Sequence, residues 1–170
     1  MRTKFGIHAA VLAIVALGVL MFGSTAAMAN GNHKQPLRLV GTVIQTDDID
    51  VGDPGPSLGD ELVYSETLSR RGREVGESGV VCTIVQITPP YDVFTFHCVG
   101  TLSLRRGQIT LQGLVEVQGQ DDRGPWTVAI TGGTGVYRGA GGEARVRQRN
   151  DTTTIYKLRF DSAKKNKHRH

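Results

Sequence analysis

The chain of 170 residues has two cysteines, one tryptophan and no zinc, nucleotide or nucleophile signature, and each lack excludes a class of chemistry. Neither Cys82 nor Cys98 has a second Cys or His at zinc-ligand spacing, so no metal site is written into the sequence. The longest apolar run, Ala9 to Phe22, is 14 residues, short of the roughly 20 that span a bilayer as a helix. The glycine stretch Gly132 to Gly142 is followed by no Lys-Ser/Thr pair at phosphate-loop spacing. It also fails as a dinucleotide fingerprint, because Arg138 stands where the third glycine belongs. Nothing resembles the nucleophile elbow of a Ser/His/Asp hydrolase. The carboxylates Asp47, Asp50 and Asp53 lack the Glu that closes a calcium loop at its twelfth position.

What is present begins with an export pattern. Arg2 and Lys4 precede the apolar run, and Ala27-Met28-Ala29 supplies an A-x-A cleavage site. Together they predict a signal peptide over 1–29, a secreted protein and no stable membrane insertion after cleavage. Residues 30–36 are polar, and 163–170 form a basic tail that includes Lys164, Lys165, Lys167 and Arg169. Without the leader, 18 basic residues face 16 acidic ones; without those four tail cations the body is slightly acidic. A nucleic-acid reader carries its positive charge on folded elements, so nucleic acid is not an expected partner.

Between the ends, eight runs rich in Val, Ile, Thr, Leu and aromatics alternate with turn residues. The expected strands are 37–46, 60–69, 79–88, 93–104, 108–118, 126–131, 142–148 and 153–160. Separators such as Asp53-Pro54-Gly55-Pro56, Pro89-Pro90 and Arg106-Gly107 place Gly, Pro or Asp where turns need them. No stretch of the body combines helical periodicity with caps. The expected fold is all-β, a sandwich or barrel, and eight strands is a number at which a closed barrel holds one small ligand.

Cys82 and Cys98 sit on consecutive runs, equidistant from Pro90. A hairpin symmetric about Pro90 sets them opposite one another, and an oxidising compartment favours a bridge. Two separate small apolar residues in a core are the other reading. Asn150-Asp151-Thr152 matches the N-glycosylation pattern.

Two stretches carry a family resemblance. Ile130-Thr131-Gly132-Gly133-Thr134-Gly135-Val136-Tyr137-Arg138-Gly139-Ala140-Gly141-Gly142-Glu143-Ala144 resembles the glycine signature shared by dirigent proteins and allene oxide cyclases. Leu58-Gly59-Asp60-Glu61-Leu62-Val63-Tyr64, followed by Gly76, Gly79 and Cys82, is similar to the cyclase order. The resemblance implies an eight-stranded antiparallel barrel around a central apolar cavity, self-associating as a trimer or dimer and needing no cofactor. The implied function is binding of a small hydrophobic molecule and steering of its cyclisation, isomerisation or stereoselective coupling. A non-catalytic carrier, or a structural barrel with a filled interior, is the alternative.

The implied site residues transfer unevenly. The cyclases' first-strand Glu and Asn positions are Val43 and Gln45 here, so a carboxylate is missing while Gln45 still offers a polar oxygen. Asp48 matches an acidic residue at the end of that strand, a catalytic candidate in dirigent proteins or a solvated turn carboxylate. Cys82 matches a cavity cysteine of the cyclases, and a free thiol there excludes a bridge to Cys98. If Cys82 points inward, alternation also turns Ile84, Phe94, Phe96 and Cys98 inward. Tyr64 and Trp126 are further wall candidates, with ordinary core filling the alternative for each. His97 alternates outward. The glycine signature itself reads as a structural turn.

Overall fold

The computed structural model describes residues 35–161 except 53, 91, 92 and 120. The expected leader over 1–29 and the basic tail over 163–170 lie outside the described residues.

Eight strands follow in chain order: β1 (Leu37–Ile49), β2 (Glu61–Arg70), β3 (Arg73–Thr88), β4 (Val93–Leu104), β5 (Gly107–Gln118), β6 (Trp126–Gly133), β7 (Gly142–Asn150) and β8 (Thr153–Phe160). Each pairs antiparallel with the next, and β8 returns to β1, closing the barrel. Closure leaves no unpaired sheet edge to template association. The alternating pattern explains the layering: every second side chain enters the barrel, and the intervening ones face out.

Two strands run longer than their composition suggests. β3 begins at Arg73, within a polar stretch, because β2 pairs with it from Arg73 and β4 joins on the other side from Gly76. β1 continues to Ile49 through a bulge between Val43 and Gln45. Backbone pairing to neighbours overrides weak local propensity in both places.

The barrel has two unlike ends. At one, Leu39, Leu68, Leu102, Ile109, Ile130, Ala144 and Leu158 form a tightly buried layer. The glycine signature folds under this layer as a 3-10 turn at Gly135–Tyr137, and Tyr137 and Ala140 pack against it. Tyr137 stacks on Phe160 with ring centroids 6.2 Å apart. The turn is stitched to the β4–β5 connection by Thr134 N–H donating to Gln108 O at 2.9 Å and Val136 N–H to Arg106 O at 3.0 Å. Gly135 adopts φ 57°, and a Cβ there would strike the Arg106 carbonyl, so the close crossing needs glycine. The signature closes one end of the barrel.

Candidate active site

The opposite half is hollow. Inward residues of β2–β8 enclose a cavity of about 250 Å³ that opens near the β5–β6 connection. Its apolar wall includes Leu62, Val80, Leu111, Val115, Val128 and Val146. An interior filled by side chains, the expectation for a structural barrel, is not what the chain builds.

Of the residues expected in the wall, Tyr64, Cys82, Phe96 and Trp126 line the cavity, as does Cys98. Cys82 and Cys98 are directly opposed and bridged, with Cα atoms 4.0 Å apart. The free-thiol reading of Cys82 is therefore overturned: the cavity meets a disulfide there. Trp126 is held in place by its indole N–H, which donates to Glu116 O at 2.8 Å.

Ile84 and Phe94 stand outside the lining. Ile84 is buried on the same side of the sheet as Cys82, but its backbone is tied to the 59–60 turn by two hydrogen bonds. Phe94 lies 6.4 Å from Phe96, ring to ring, one step nearer the rim. A bulge between Ile84 and Gln86 shifts the register, so Phe94 pairs with Ile87.

The two polar residues expected from the first strand also stand outside the lining. The β1 bulge pairs Gln45 with Ser65, which lies between the inward residues Tyr64 and Glu66. Gln45 is exposed on the outer face, so the expectation of a polar oxygen inside the barrel is corrected. The bulge is the cause, because one extra residue inverts the facing of the residues beyond it. Asp48 pairs with Leu62, which puts it on the cavity side of the sheet, yet exposed at the rim.

The sequence reading missed Glu66. It is fully buried on β2 and pairs directly across from Val43, the position where the cyclase carboxylate is absent. Its Oε2 accepts hydrogen bonds from Ser78 Oγ and the Tyr156 hydroxyl, each 2.6 Å, while Oε1 is buried with no partner among the described residues. Gly41 makes this possible: a Cβ there would lie 2.5 Å from the Glu66 carboxyl carbon. Without that side chain, Tyr156 on β8 reaches over β1 to β2.

The Tyr64 phenol stands beside Tyr156 on the cavity wall. Burial, and then the adjacent Glu66 carboxylate, hold the Tyr64 phenol well above its usual pKa. Tyr156 is raised as well, by burial first, then by its neighbours Tyr64 and Glu66. Both phenols line the cavity; Glu66 lies behind them. The result is a hydrogen bond that leads from Tyr156 on the cavity wall to Glu66 behind it, with the Tyr64 phenol alongside. An inward charged residue two positions from an inward Tyr was a readable signal, since Tyr64, Glu66 and Leu68 share one face of an alternating strand.

His97 faces outward, with its Nε2 2.9 Å from the Gln112 side chain, and takes no part in the site. Among the described residues no three metal-ligating side chains gather.

Residues 40–160 match the allene oxide cyclase barrel like domain. The chain belongs to this family. Among solved structures, a pyocyanin demethylase is 31% identical, with a TM-score of 0.65, over 74% of this chain and 99% of that one. An exo-specific intermolecular Diels-Alderase is 18% identical at TM-score 0.55, over 75% of this chain and 98% of the other. The pterocarpan synthase dirigent protein is 15% identical at TM-score 0.51, over 82% and 97%. These last two share the fold. Comparison with curated protein sequences gives no match.

Proposed function

We propose that this family member binds one small, largely apolar aromatic molecule in the barrel and moves a proton on it. The product is a cyclised or isomerised form. The observation that carries this reading is the hydrogen-bonded pair Tyr156–Glu66 with Tyr64 beside it: two phenols face the cavity and the carboxylate is hidden behind them.

A proton leaving the ligand passes to the Tyr156 oxygen as the Tyr156 proton moves to Glu66. The two transfers cancel at the Tyr156 oxygen, so one proton travels from ligand to carboxylate. Run backwards, the same pair returns a proton to a different ligand atom, and the sum is an isomerisation. Neither direction needs an external oxidant. Phenol O–H groups aimed at a developing charge act strongly in a site walled by apolar side chains. The walls contribute by restricting the ligand to a reactive conformer. Phe96 and Trp126 supply flat faces for an aromatic ring. In this reading Asp48, exposed at the rim, is a polar aid for a molecule entering the mouth.

The 31% identity to a pyocyanin demethylase makes pyocyanin the first molecule to test. Trp126 is the single tryptophan of the chain and lines the cavity, so its fluorescence reports occupancy. Pyocyanin, followed by a panel of neutral aromatics, is expected to quench it saturably. Glu66→Gln is expected to keep the quenching and lose turnover. Saturable quenching with unchanged turnover in Glu66→Gln removes Glu66 from the chemistry, and saturable quenching with no turnover by the parent assigns the barrel a carrier role. No quenching by any of the panel rejects small-molecule binding.

A further inference from the structure

The outer wall formed by β7, β8 and β1 carries a concentration of cations that the overall charge conceals. Arg38 on β1 pairs directly with Lys157 on β8, and Lys157 pairs directly with Arg145 on β7. All three are exposed. Strand neighbours of this kind lie about 4.7–4.9 Å apart, and like charges directly opposed destabilise a sheet. Arg147, Arg149 and Arg159 extend the group on the outward positions of β7 and β8. Glu143 is the one acidic residue on the outward positions of β7 and β8, and it is paired with Arg159 at 3.1 Å. Among the described residues, Arg38, Arg145, Arg147, Arg149 and Lys157 have no carboxylate within ion-pair distance. Arg70, Arg71 and Arg73 follow around the closed end, at the β2–β3 turn beside the start of β1.

A row of unpaired cations that costs stability implies a partner that neutralises it. We infer that this face docks on an anionic phospholipid surface. The face is the convex outside of a barrel, and its outward residues are Val40, Ile155 and Thr127 between the cations, with no aromatic ring on which a nucleic-acid base stacks. A broad convex cation array suits a sheet of phosphate headgroups, each Lys or Arg adding to the attraction within a Debye length. Such docking leaves the cavity mouth free, because the cations lie on the outside of the wall and the cavity within.

The test is co-sedimentation of the purified protein with phosphatidylcholine vesicles that either lack or contain about 30% phosphatidylglycerol. Binding is expected only to the anionic vesicles, and raising salt from about 0.1 M to about 0.5 M is expected to abolish it. The combined change Arg38→Gln, Arg145→Gln and Lys157→Gln is expected to weaken binding on the order of a hundredfold, at about fivefold per cation. Its melting temperature should equal or exceed that of the parent, since like charges are removed. Arg38→Lys with Arg145→Lys keeps the charge and is expected to keep binding, which separates charge from any effect on folding. Four results would overturn the proposal. They are equal binding to the uncharged vesicles, unchanged binding of the triple variant, tighter binding to a single-stranded oligonucleotide than to vesicles at equal phosphate, or loss of all binding on removing 163–170 alone.

Discussion

The closed and hollow halves of the barrel are made from the same strands, yet they solve different problems. In the closed half Leu39, Leu68, Leu102 and Leu158 meet across the axis, and the glycine signature seals the end beneath them. In the hollow half Val80, Val115, Val128 and Val146 are too short to meet, and the space between them stays open. Between the halves lies the polar layer of Glu66, Ser78, Thr154 and Tyr156, the Glu66–Ser78–Tyr156 part hydrogen-bonded and buried. Eight strands leave an interior that larger side chains fill and smaller ones do not. The lesson is that side-chain volume along each strand decides where packing stops and a site begins.

The largest expected effect tests the packed half. Leu102→Ala should cost about 2–5 kcal/mol in denaturant melts, through lost burial plus a cavity the neighbours cannot fill. Phe96→Ala, on the wall of an existing cavity, should fall below that range, at about 1–2 kcal/mol, while weakening ligand quenching of Trp126. Equal costs for the two would erase the distinction between the halves. The disulfide comes next. Replacing Cys82 and Cys98 by alanine should cost about 3 kcal/mol, because the bridge restricts a short loop of the unfolded chain. The sheet register holds without it, so circular dichroism should be unchanged.

Gly41→Ala probes the polar layer between the halves. The new methyl group collides with the Glu66 carboxylate, and either β1 or Glu66 must shift at a cost of about 1–3 kcal/mol. The same change should abolish turnover while leaving the apolar wall intact. A fully active Gly41→Ala protein would remove Glu66 from the proposed chemistry.

Two pH responses complete the set. Tyr64 and Tyr156 have folded pKa values raised above their unfolded value of about 10. Their contribution is whole below about pH 10 and is lost as pH rises through the higher folded values. Absorbance titration of the four tyrosines should thus show a pair that ionises only as the protein unfolds in alkali. Asp60 responds in the opposite direction, and least. The Val51 N–H, then the Ser57 N–H, hold its carboxyl below the usual carboxylate range. Its stabilisation of the 51–60 connection is present above about pH 3.9 and lost as pH falls through the lower folded pKa. Asp60→Asn should loosen that connection, measured by faster amide exchange at Val51 and Ser57, and leave the barrel standing.

Much of the fold was legible. Strand alternation and turn residues located all eight strands, and the hairpin about Pro90 set Cys82 against Cys98. The wall residues Tyr64, Phe96 and Trp126 followed from aromatic character and alternation. Gln45 was misplaced, because nothing in the residues around Ile44 announces a bulge and one bulge reverses the facing of a strand. Val43 read as a lost carboxylate because family positions are compared along a strand. A barrel cavity is chemically defined around its circumference, where Glu66 is the next residue across. Net charge misled in the same way: a sum over the chain is blind to Arg38, Lys157 and Arg145 standing side by side.

By itself the sequence determined the period-two elements, their number and order, the turns and the pair of cysteines, since these depend on local sterics and short-range alternation. The tertiary structure alone decided which carboxylate is buried and what it serves. Glu66 and Tyr156 are 90 residues apart in the chain. Only closure of β8 onto β1, with Gly41 leaving room between them, brings that phenol and that carboxylate together behind the cavity.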